Sequence, residues 1–459
     1  DVTLPSAFEA PTGEAAVTEA ELDKWWLLFG DPALNALEDD AFRLSPDART
    51  AASRLMEANA TRDSQTAQTF PTGALVGNAS RKHTEDLKGA SNNLIPVGGD
   101  TTTETLNFNV SWELDLFGRL ASARKVAKAD FAATRFNVEG ARAALAANVA
   151  DSYFQVRGLT IQLADAEETA RIQSKLLELA RTKAARGLGP AADADRVAGD
   201  LGQALSQVES FKAELHAAQR LLLILVGRGI EPTAAVATDA TAAKPPPAPQ
   251  AIPGELLQRR PDVREAEARL RSAAGRQHIA HLAIFPTFTL QPGVGLSRVV
   301  SPGVTFTPPA TLAPAQQTTE TGFWSAGIGV SQPILDIPRL LAEMRVQDAR
   351  TEQAVIAYEK AVQTAYGEAE NALVRLSADE RRVALLEDGE NHARRAYEAA
   401  RTRYAAGIDD LTTALSAETA WRGARSALTA ERVQALRRAV QTYKALGGGW
   451  AFTPAVRGS

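Results

Sequence analysis

The sequence contains the stretch Ala180-Arg181-Thr182-Lys183-Ala184-Ala185-Arg186-Gly187-Leu188, and later a closely similar one, Ala400-Arg401-Thr402-Arg403-Tyr404-Ala405-Ala406-Gly407-Ile408. The two glycines set the spacing, since 407 − 187 gives an offset of 220. Three further pairs share this offset: Val110-Ser111 with Val330-Ser331, Arg119 with Arg339, and Gly227 with Gly447. These matches predict a two-fold internal repeat.

Upstream of these pairs the offset is smaller. Phe70-Pro71-Thr72 returns as Phe285-Pro286-Thr287, and Pro46-Asp47 returns as Pro261-Asp262, both with an offset of 215. The second copy has therefore gained five residues between Phe285 and Val330. Loops tolerate insertions, so we expect the extra residues in a hairpin.

Each copy contains a long stretch without proline, at 120–186 and 340–406. Both stretches are rich in Ala, Leu, Glu and Arg, and apolar residues such as Leu145, Val149 and Tyr153 recur at helical spacing. A helix of this length is a rod of about 100 Å. The sequence therefore predicts one very long helix in each copy.

Both long helices end at a glycine, and a proline or an aspartate follows, as in Gly187-Leu188-Gly189-Pro190 and Gly407-Ile408-Asp409-Asp410. Glycine favours a helix end, whereas proline and aspartate favour a helix start. We therefore predict two helical hairpins, whose returning helices at 190–226 and 410–446 are shorter. Helices at 46–69 and 261–283 are expected to complete the second layer.

The regions 70–118 and 284–338 read as β-structure, because segments such as Leu106-Asn107-Phe108-Asn109-Val110 alternate with a period of two. One hairpin from each region makes four strands per chain. Four strands do not close a barrel, and open edges in lipid would leave backbone groups unsatisfied, so several chains must join. Four aromatic residues near the strand ends are interpreted either as membrane-interface residues or as ordinary packing: Trp112, Phe117, Phe285 and Trp324.

Composition excludes several classes. The net charge is −5, and the basic residues are scattered, so nucleic acid is not an expected partner. The chain has no cysteine, no run of apolar residues long enough for a membrane helix, and no nucleotide-binding motif. His278 and His281 have metal-ligand spacing but lack a third ligand. We therefore expect no enzymatic activity, no cofactor and no metal site.

Several stretches together resemble a known family: Leu4-Pro5, Trp25-Trp26, Trp112-Glu113-Leu114-Asp115-Leu116-Phe117-Gly118-Arg119, Leu256-Leu257-Gln258-Arg259-Arg260-Pro261-Asp262 and Tyr443-Lys444-Ala445-Leu446-Gly447-Gly448-Gly449-Trp450. The chain resembles the TolC-like outer-membrane factors, in particular the efflux lipoproteins that serve pumps of the RND type. The resemblance implies a mixed α/β membrane protein. It implies a homotrimer with a 12-stranded antiparallel transmembrane β-barrel, four strands per protomer, continued by a long α-helical periplasmic barrel.

The resemblance also implies partners and a location. The expected partners are a periplasmic adaptor protein, an inner-membrane RND-type efflux pump and outer-membrane lipid. The expected location is the outer membrane of a Gram-negative bacterium. Family members often carry lipid on an N-terminal cysteine. This sequence begins at Asp1 without a signal peptide, so we interpret it as a mature or trimmed chain and expect lipidation of the precursor only.

On this basis the chain divides into four kinds of segment. An N-terminal equatorial segment covers 1–45, and the helical periplasmic barrel covers 46–69, 120–226, 261–283 and 340–446. The transmembrane hairpins cover 70–118 and 284–338. Equatorial connectors cover 227–260 and 447–459.

We expect an iris-like gate where the hairpin tips converge, because three copies of a tip residue form a ring. Related channels often have Leu in place of Thr412 and Asp in place of Ser416, so this chain is expected to have a weaker or displaced acidic ring. The expected gate residues are Asp193, Asp195, Asp409, Asp410, Thr412, Thr413 and Ser416.

Other tip residues have two interpretations each. Arg403 and Tyr404 are expected either to tether neighbouring helices or to be solvated and packed, respectively. Asp409 and Asp410 also suit a helix cap. Gly187 and Gly407 are expected to allow the backbone to turn, so that they are backbone devices, or to mark adaptor-docking positions, or both.

The predicted function is an outer-membrane exit duct that passively conducts small molecules from an adaptor and pump. One alternative is the outer channel of a type I protein secretion system, which would share the fold. A soluble coiled-coil adaptor or scaffold is the alternative from another class, and the alternating strands argue against it.

Overall fold

The structure, a computed structural model, describes residues 4–10, 22–85, 99–240, 244–246, 253–255, 259–307 and 311–448. Besides short 3-10 helices such as Trp25–Phe29, the structure has the α-helices α1 (Pro32–Leu44), α2 (Pro46–Ala67), α3 (Arg119–Ala185), α4 (Ala191–Val226), α5 (Pro261–Leu282), α6 (Ile337–Ala405) and α7 (Leu411–Ala445). The strands are β1 (Thr72–Thr84), β2 (Gly99–Leu114), β3 (Thr287–Thr307) and β4 (Thr311–Ser331). Parts of the segments expected at 1–45, 227–260 and 447–459 lie outside the described residues.

The six helices predicted from the sequence are present, and their ends lie within three residues of the expected ends. Helix α1 was not predicted. The sequence does contain a short signal for the start of this helix, the pair Asp31-Pro32: Asp31 caps the helix, and Pro32 occupies its first turn.

Corresponding elements of the two copies match in detail. Helices α2 and α5 have 22 residues each. In the first hairpin Thr72 pairs with Ser111, and in the second Thr287 pairs with Ser331. The differences, 287 − 72 and 331 − 111, equal the offsets of 215 and 220 that relate the two copies in sequence. Equivalent residues thus occupy equivalent positions in the register.

The chain divides into two compact units. The helical unit comprises residues 1–57, 132–267 and 356–459, and the sheet unit comprises residues 58–131 and 268–355. No helix in the described ranges combines the length and apolarity that crossing a bilayer requires.

An aromatic cluster forms the main core of the helical unit. Trp25 is fully buried and its ring stacks on Tyr443, with centroids 6.0 Å apart. Phe29 contacts Phe154 of α3 with centroids 4.9 Å apart. The N-terminal segment is therefore packed against α3 and α7.

Asp31 fastens this segment to α3. One carboxylate oxygen accepts hydrogen bonds from the backbone N–H groups of Ala33 and Leu34, at 3.0 and 3.3 Å. The other accepts hydrogen bonds from the Tyr153 hydroxyl and the Arg157 guanidinium, both at 2.7 Å. One side chain thus caps α1 and fixes it to the long helix.

The sheet unit contains one antiparallel sheet with the strand order β1-β2-β3-β4. Directly paired residues share a face, so the register assigns every side chain to one side. One face is apolar and carries Leu75, Leu106, Phe108, Val110, Trp112, Leu114, Phe288, Leu290, Val294, Leu296, Trp324, Ile328 and Val330. The other face is mainly polar and includes Thr105, Asn107, Asn109, Thr289, Gln291, Ser297, Thr321 and Ser325.

The motif around Trp112 to Arg119 makes the turn from β2 into α3. The Asp115 carboxylate accepts the N–H groups of Leu120 and Ala121, at 2.9 and 2.7 Å, and so caps the helix. Arg119 forms a two-bond ion pair with Glu113 on the strand. These contacts give a physical reason for the residues that carry the sequence resemblance.

Close packing of α3 on α7 depends on Gly158, because a Cβ there would lie 2.8 Å from a Val433 methyl carbon. We expect Gly158→Ala to lower stability by about 1–3 kcal/mol. Adding Val433→Ala should restore part of the loss. Gly199→Ala in α4 is the control: no atom lies within 4 Å of its Cβ position, and the change should stabilise by about 0.5–1 kcal/mol.

The measurement is the thermal midpoint of helical circular dichroism for the four proteins. Equal effects of the Gly158 and Gly199 substitutions would contradict the assigned contact.

Candidate functional site at the helical hairpin tips

Both hairpin tips turn on a glycine in the left-handed conformation. The φ angle is 68° at Gly187 and 74° at Gly407. The residue after each glycine donates its N–H back into the helix, Leu188 to the Lys183 carbonyl and Ile408 to the Arg403 carbonyl, each at 2.9 Å. This is a Schellman C-cap, which strongly favours glycine. The prediction that both glycines are backbone devices is confirmed.

The two aspartates of the second tip have separate partners. The Asp410 carboxylate accepts the backbone N–H of Thr413 at 2.8 Å and caps α7, as the sequence suggested. Its hydrogen bonds with Thr413 lower the pKa of Asp410. Asp409 instead accepts two hydrogen bonds from the Arg403 guanidinium, at 2.8 and 2.9 Å. Both aspartates of the second tip therefore bind groups within that tip, one an arginine side chain and the other a backbone N–H.

The first tip lacks this ion pair. Lys183 is the counterpart of Arg403 at the offset of 220, but the counterpart of Asp409 is Gly189. The Lys183 ammonium reaches the other hairpin, where it donates to the Tyr404 carbonyl at 2.8 Å and lies 3.8 Å from the centre of the Tyr404 ring. Lys183 thus joins the two tips within one protomer.

Lys183 was not among the residues predicted from the sequence. A comparison of the two copies contains a signal for it, because a basic residue persists while its local acidic partner is replaced by glycine. The sequence does not say where the freed ammonium goes. Only the packing of the two hairpins supplies that answer.

Tyr404 is buried in a small core that the two hairpins share. Burial raises the pKa of its hydroxyl, and the nearby Asp193 carboxylate adds to the effect. The core residues are Leu176, Leu177, Val197, Tyr404, Leu411, Ala414 and Leu415. Of the two interpretations of Tyr404, packing is therefore confirmed, and its carbonyl and ring also receive Lys183.

The predicted hydroxyl residues lie together on the outside of α7. Thr412, Thr413 and Ser416 are exposed, whereas Leu411 and Leu415 on the opposite side of the helix are buried. This exposed face offers hydroxyl groups to water or ions.

The acidic residues of α4 are separate from these hydroxyls along the chain. Asp193 is half-buried and Asp195 is exposed, and neither forms a salt bridge within the part of the chain that the structure describes. Their negative charges are therefore not neutralised by a salt bridge at the tips, unlike the charge of Asp409, and neither caps a helix as Asp410 does.

His281 lies near an acidic residue, with its Nε2 atom 3.1 Å from an Asp348 carboxylate oxygen. His278 is exposed. Across the described ranges, no group of three or more His, Cys, Asp or Glu residues has metal-binding geometry.

We compared the sequence and the fold with those of known proteins. A family model described as "Outer membrane efflux protein" matches residues 37–228 and again residues 252–448. The pyoverdine export outer membrane protein OpmQ of Pseudomonas aeruginosa is 27% identical over 432 residues, which are 94% of this chain and 88% of that relative. The probable efflux pump outer membrane protein TtgC of Pseudomonas putida is 29% identical over 449 residues, 96% of this chain and 88% of the relative.

A solved structure of an outer-membrane channel has a similar fold. The outer-membrane channel OprN superposes with a TM-score of 0.79 at 25% identity, over 97% of this chain and 99% of that chain. The resemblance stated from the sequence is confirmed, and because the family model covers well over half of its residues, this chain belongs to the outer membrane efflux protein family.

Proposed function

We propose that this chain forms a homotrimeric outer-membrane exit duct of a tripartite efflux system. It conducts small molecules passively from a periplasmic adaptor and an inner-membrane RND-type pump to the outside. The exposed apolar face of the sheet is the observation that carries this proposal, and the family assignment supports it.

The apolar face has the length expected of a membrane-spanning strand. Its rows run from Phe288 to Leu296 along β3, a path of about 27 Å at the rise of an extended strand. A tilted transmembrane strand needs about 9–11 residues, and Phe288 to Leu296 spans nine. Beyond Leu296 the same face becomes charged, since Arg298 lies 3.6 Å from Glu104 and from Glu320. The band therefore has a defined end.

The edges of the sheet support a trimer. Strands β1 and β4 each have one neighbour among the described residues, so each has an open side. In lipid these backbone groups need partners. Joining β1 of one copy to β4 of the next closes a 12-stranded barrel with three copies. Three copies of the helical unit then enclose a periplasmic tunnel, and the two-fold repeat gives each protomer two hairpins for its wall.

The gate is assigned to the hairpin tips. Lys183 and Tyr404 tether the tips within a protomer, and Arg403 with Asp409 stiffens the second tip. Because Asp409 and Asp410 already have partners, Asp193 and Asp195 are better placed to supply an acidic ring. Thr412, Thr413 and Ser416 then line the pore with hydroxyl groups in place of an apolar constriction.

The tips also present an adaptor-docking surface. Next to Gly187 and Gly407 stand Leu188 and Ile408, which are 71% and 67% exposed. Apolar side chains exposed at the two turns suit contact with another protein.

The names of two relatives support the proposed cargo. OpmQ is named for pyoverdine export and TtgC for an efflux pump, which favours small molecules over secreted proteins. A lipid anchor would require a cysteine upstream of Asp1, as in other efflux lipoproteins.

The mass of the detergent-extracted protein tests the assembly. We expect a particle with three times the chain mass of 48.8 kDa, because three four-stranded sheets close one barrel. Light scattering corrected for detergent measures this mass. A monodisperse monomer in detergent would reject the shared barrel and with it the proposed duct.

The lipid-facing side is tested by placing one charge on each face of the sheet. Val294→Arg should cost about 2–4 kcal/mol, since the side chain would enter hydrocarbon near the middle of the band. Ser325→Arg, on the polar face at nearly the same depth, is the control and should cost much less. The readout is the temperature at which the native oligomer dissociates on a gel, and an equal drop for both variants would contradict the assignment of faces.

The tether is tested by Lys183→Met, which keeps the length of the side chain and removes the ammonium. Losing a charge-assisted hydrogen bond costs about 1.5 kcal/mol, which corresponds to about a tenfold larger open fraction. Single-channel recording in planar bilayers measures the open fraction. Lys212→Met in α4, whose ammonium pairs with Glu209 on its own helix, is the control. Identical recordings from Lys183→Met and the unaltered protein would remove Lys183 from the gate.

A further inference from the structure

A cavity of about 480 Å³ lies between α3, α4 and α7 in the helical unit. This volume is within the range of small-molecule sites, which often form between packed helices. The gate and the sheet described above do not involve it. Its walls are both aromatic and polar, with Phe211, Trp421 and the amides of Gln162, Gln203 and Gln207 among the lining residues.

The Trp421 ring is held in position from several sides. It stacks on Tyr397 with centroids 5.1 Å apart and an interplanar angle of 8°. Its indole N–H donates to Glu390 at 2.8 Å, and the Arg425 guanidinium lies 5.6 Å from the ring centre. A rigid aromatic wall binds a planar ligand with little loss of conformational entropy.

Asp165 and Arg425 neutralise one another. The two side chains form an ion pair, and the Asp165 carboxylate also accepts the Thr429 hydroxyl at 3.1 Å. Burial raises the pKa of Asp165 although Arg425 opposes the shift. This pair leaves little net charge for a ligand.

Arg422, unlike Arg425, has no close ion-pair partner among the described residues. Within the described part of the chain, its one salt bridge is a long contact with Glu418, in which the charged atoms are 4.0 Å apart. The Glu418 side chain is only 1% exposed and accepts a hydrogen bond from the Gln173 amide at 3.2 Å. Burial raises the pKa of Glu418, whereas Arg422 lowers it. The Arg422 side chain is 41% exposed and held only by this long contact, so it brings to the cavity a guanidinium that can bind another anion.

We propose that this cavity binds a small planar organic anion, such as an aromatic carboxylate. The carboxylate accepts two hydrogen bonds from Arg422, in the bidentate geometry that a guanidinium favours. The ring packs on Trp421 with Phe211 nearby, and the glutamine amides bind polar substituents. An organic cation fits less well, because Asp165 is already paired and Glu418 is buried against Gln173.

The ligand would bridge the two hairpins. Phe211 and Gln207 belong to α4, whereas Trp421 and Arg422 belong to α7, so one bound molecule contacts helices of both. Binding should therefore raise the thermal stability of the helical unit. The proposed site lies between helices of one chain, so it does not depend on the gate or on trimer closure.

Isothermal titration of the full-length, detergent-extracted protein with 2-naphthoate tests the site. We expect saturable binding, and a thermal midpoint that rises with ligand concentration. The uncharged 2-naphthamide should bind at least about tenfold more weakly, because it lacks the charge that Arg422 recognises.

Variants assign the binding to the cavity. Arg422→Gln should weaken 2-naphthoate binding at least about tenfold, and Arg422→Lys should restore only part of it, because an ammonium keeps the charge but loses the bidentate geometry. Trp421→Leu should also weaken binding, whereas Arg395→Gln, on the exposed surface of α6, should not. Circular dichroism checks that each variant is folded.

Three results would overturn the proposal. One is an absence of saturable 2-naphthoate binding to the unaltered protein, as expected if a helix of another polypeptide fills the cavity. The second is unchanged binding by folded Arg422→Gln, which would place the ligand elsewhere. The third is equal binding of the acid and the amide, which would show that the charge is not recognised.

Discussion

Leu, Phe, Trp, Val and Ile side chains cover one face of the sheet, and contact with water is unfavourable for all of them. Each Å² of apolar surface kept from water contributes about 25 cal/mol, so a face of this size strongly favours an apolar neighbour. The same alternation that collects these residues on one side places Asn, Thr, Ser and Gln on the other. A sheet with these two faces and two open edges needs an apolar neighbour on one side and further strands along its edges. The assembly proposed above would supply both.

The helical unit meets a different requirement. A helix as long as α3 cannot bury an apolar stripe alone, so it needs partners along its whole length. The packed helices approach closely where Gly158 faces Val433, and charged pairs join them elsewhere. Arg437 of α7 donates two hydrogen bonds to Asp151 of α3, at 2.8 and 2.9 Å. Such bidentate pairs align two helices as well as attracting them.

The two hairpin tips make the same backbone turn and differ in the chemistry around it. Gly187 and Gly407 make the same turn, so the helices reverse in the same way. The acid that pairs with Arg403, Asp409, has Gly189 as its counterpart, so Lys183 lacks a matching acid six positions later in its own copy. Arg403 stays within its own tip, whereas Lys183 crosses to the other hairpin.

The sequence by itself determined the local structure and the family. Helix ends were predictable because glycine, proline and aspartate act on their immediate neighbours, as at Gly407 and Asp410. Strands were predictable because the period of two is a local property. The packing partners were not predictable in this way, since distant residues meet only after folding. The ammonium of Lys183 reaching Tyr404 and the cavity around Trp421 and Arg422 depend on how separate helices pack. Tertiary structure alone decided them, because a side chain selects its partner from the groups that the fold brings within a few ångströms.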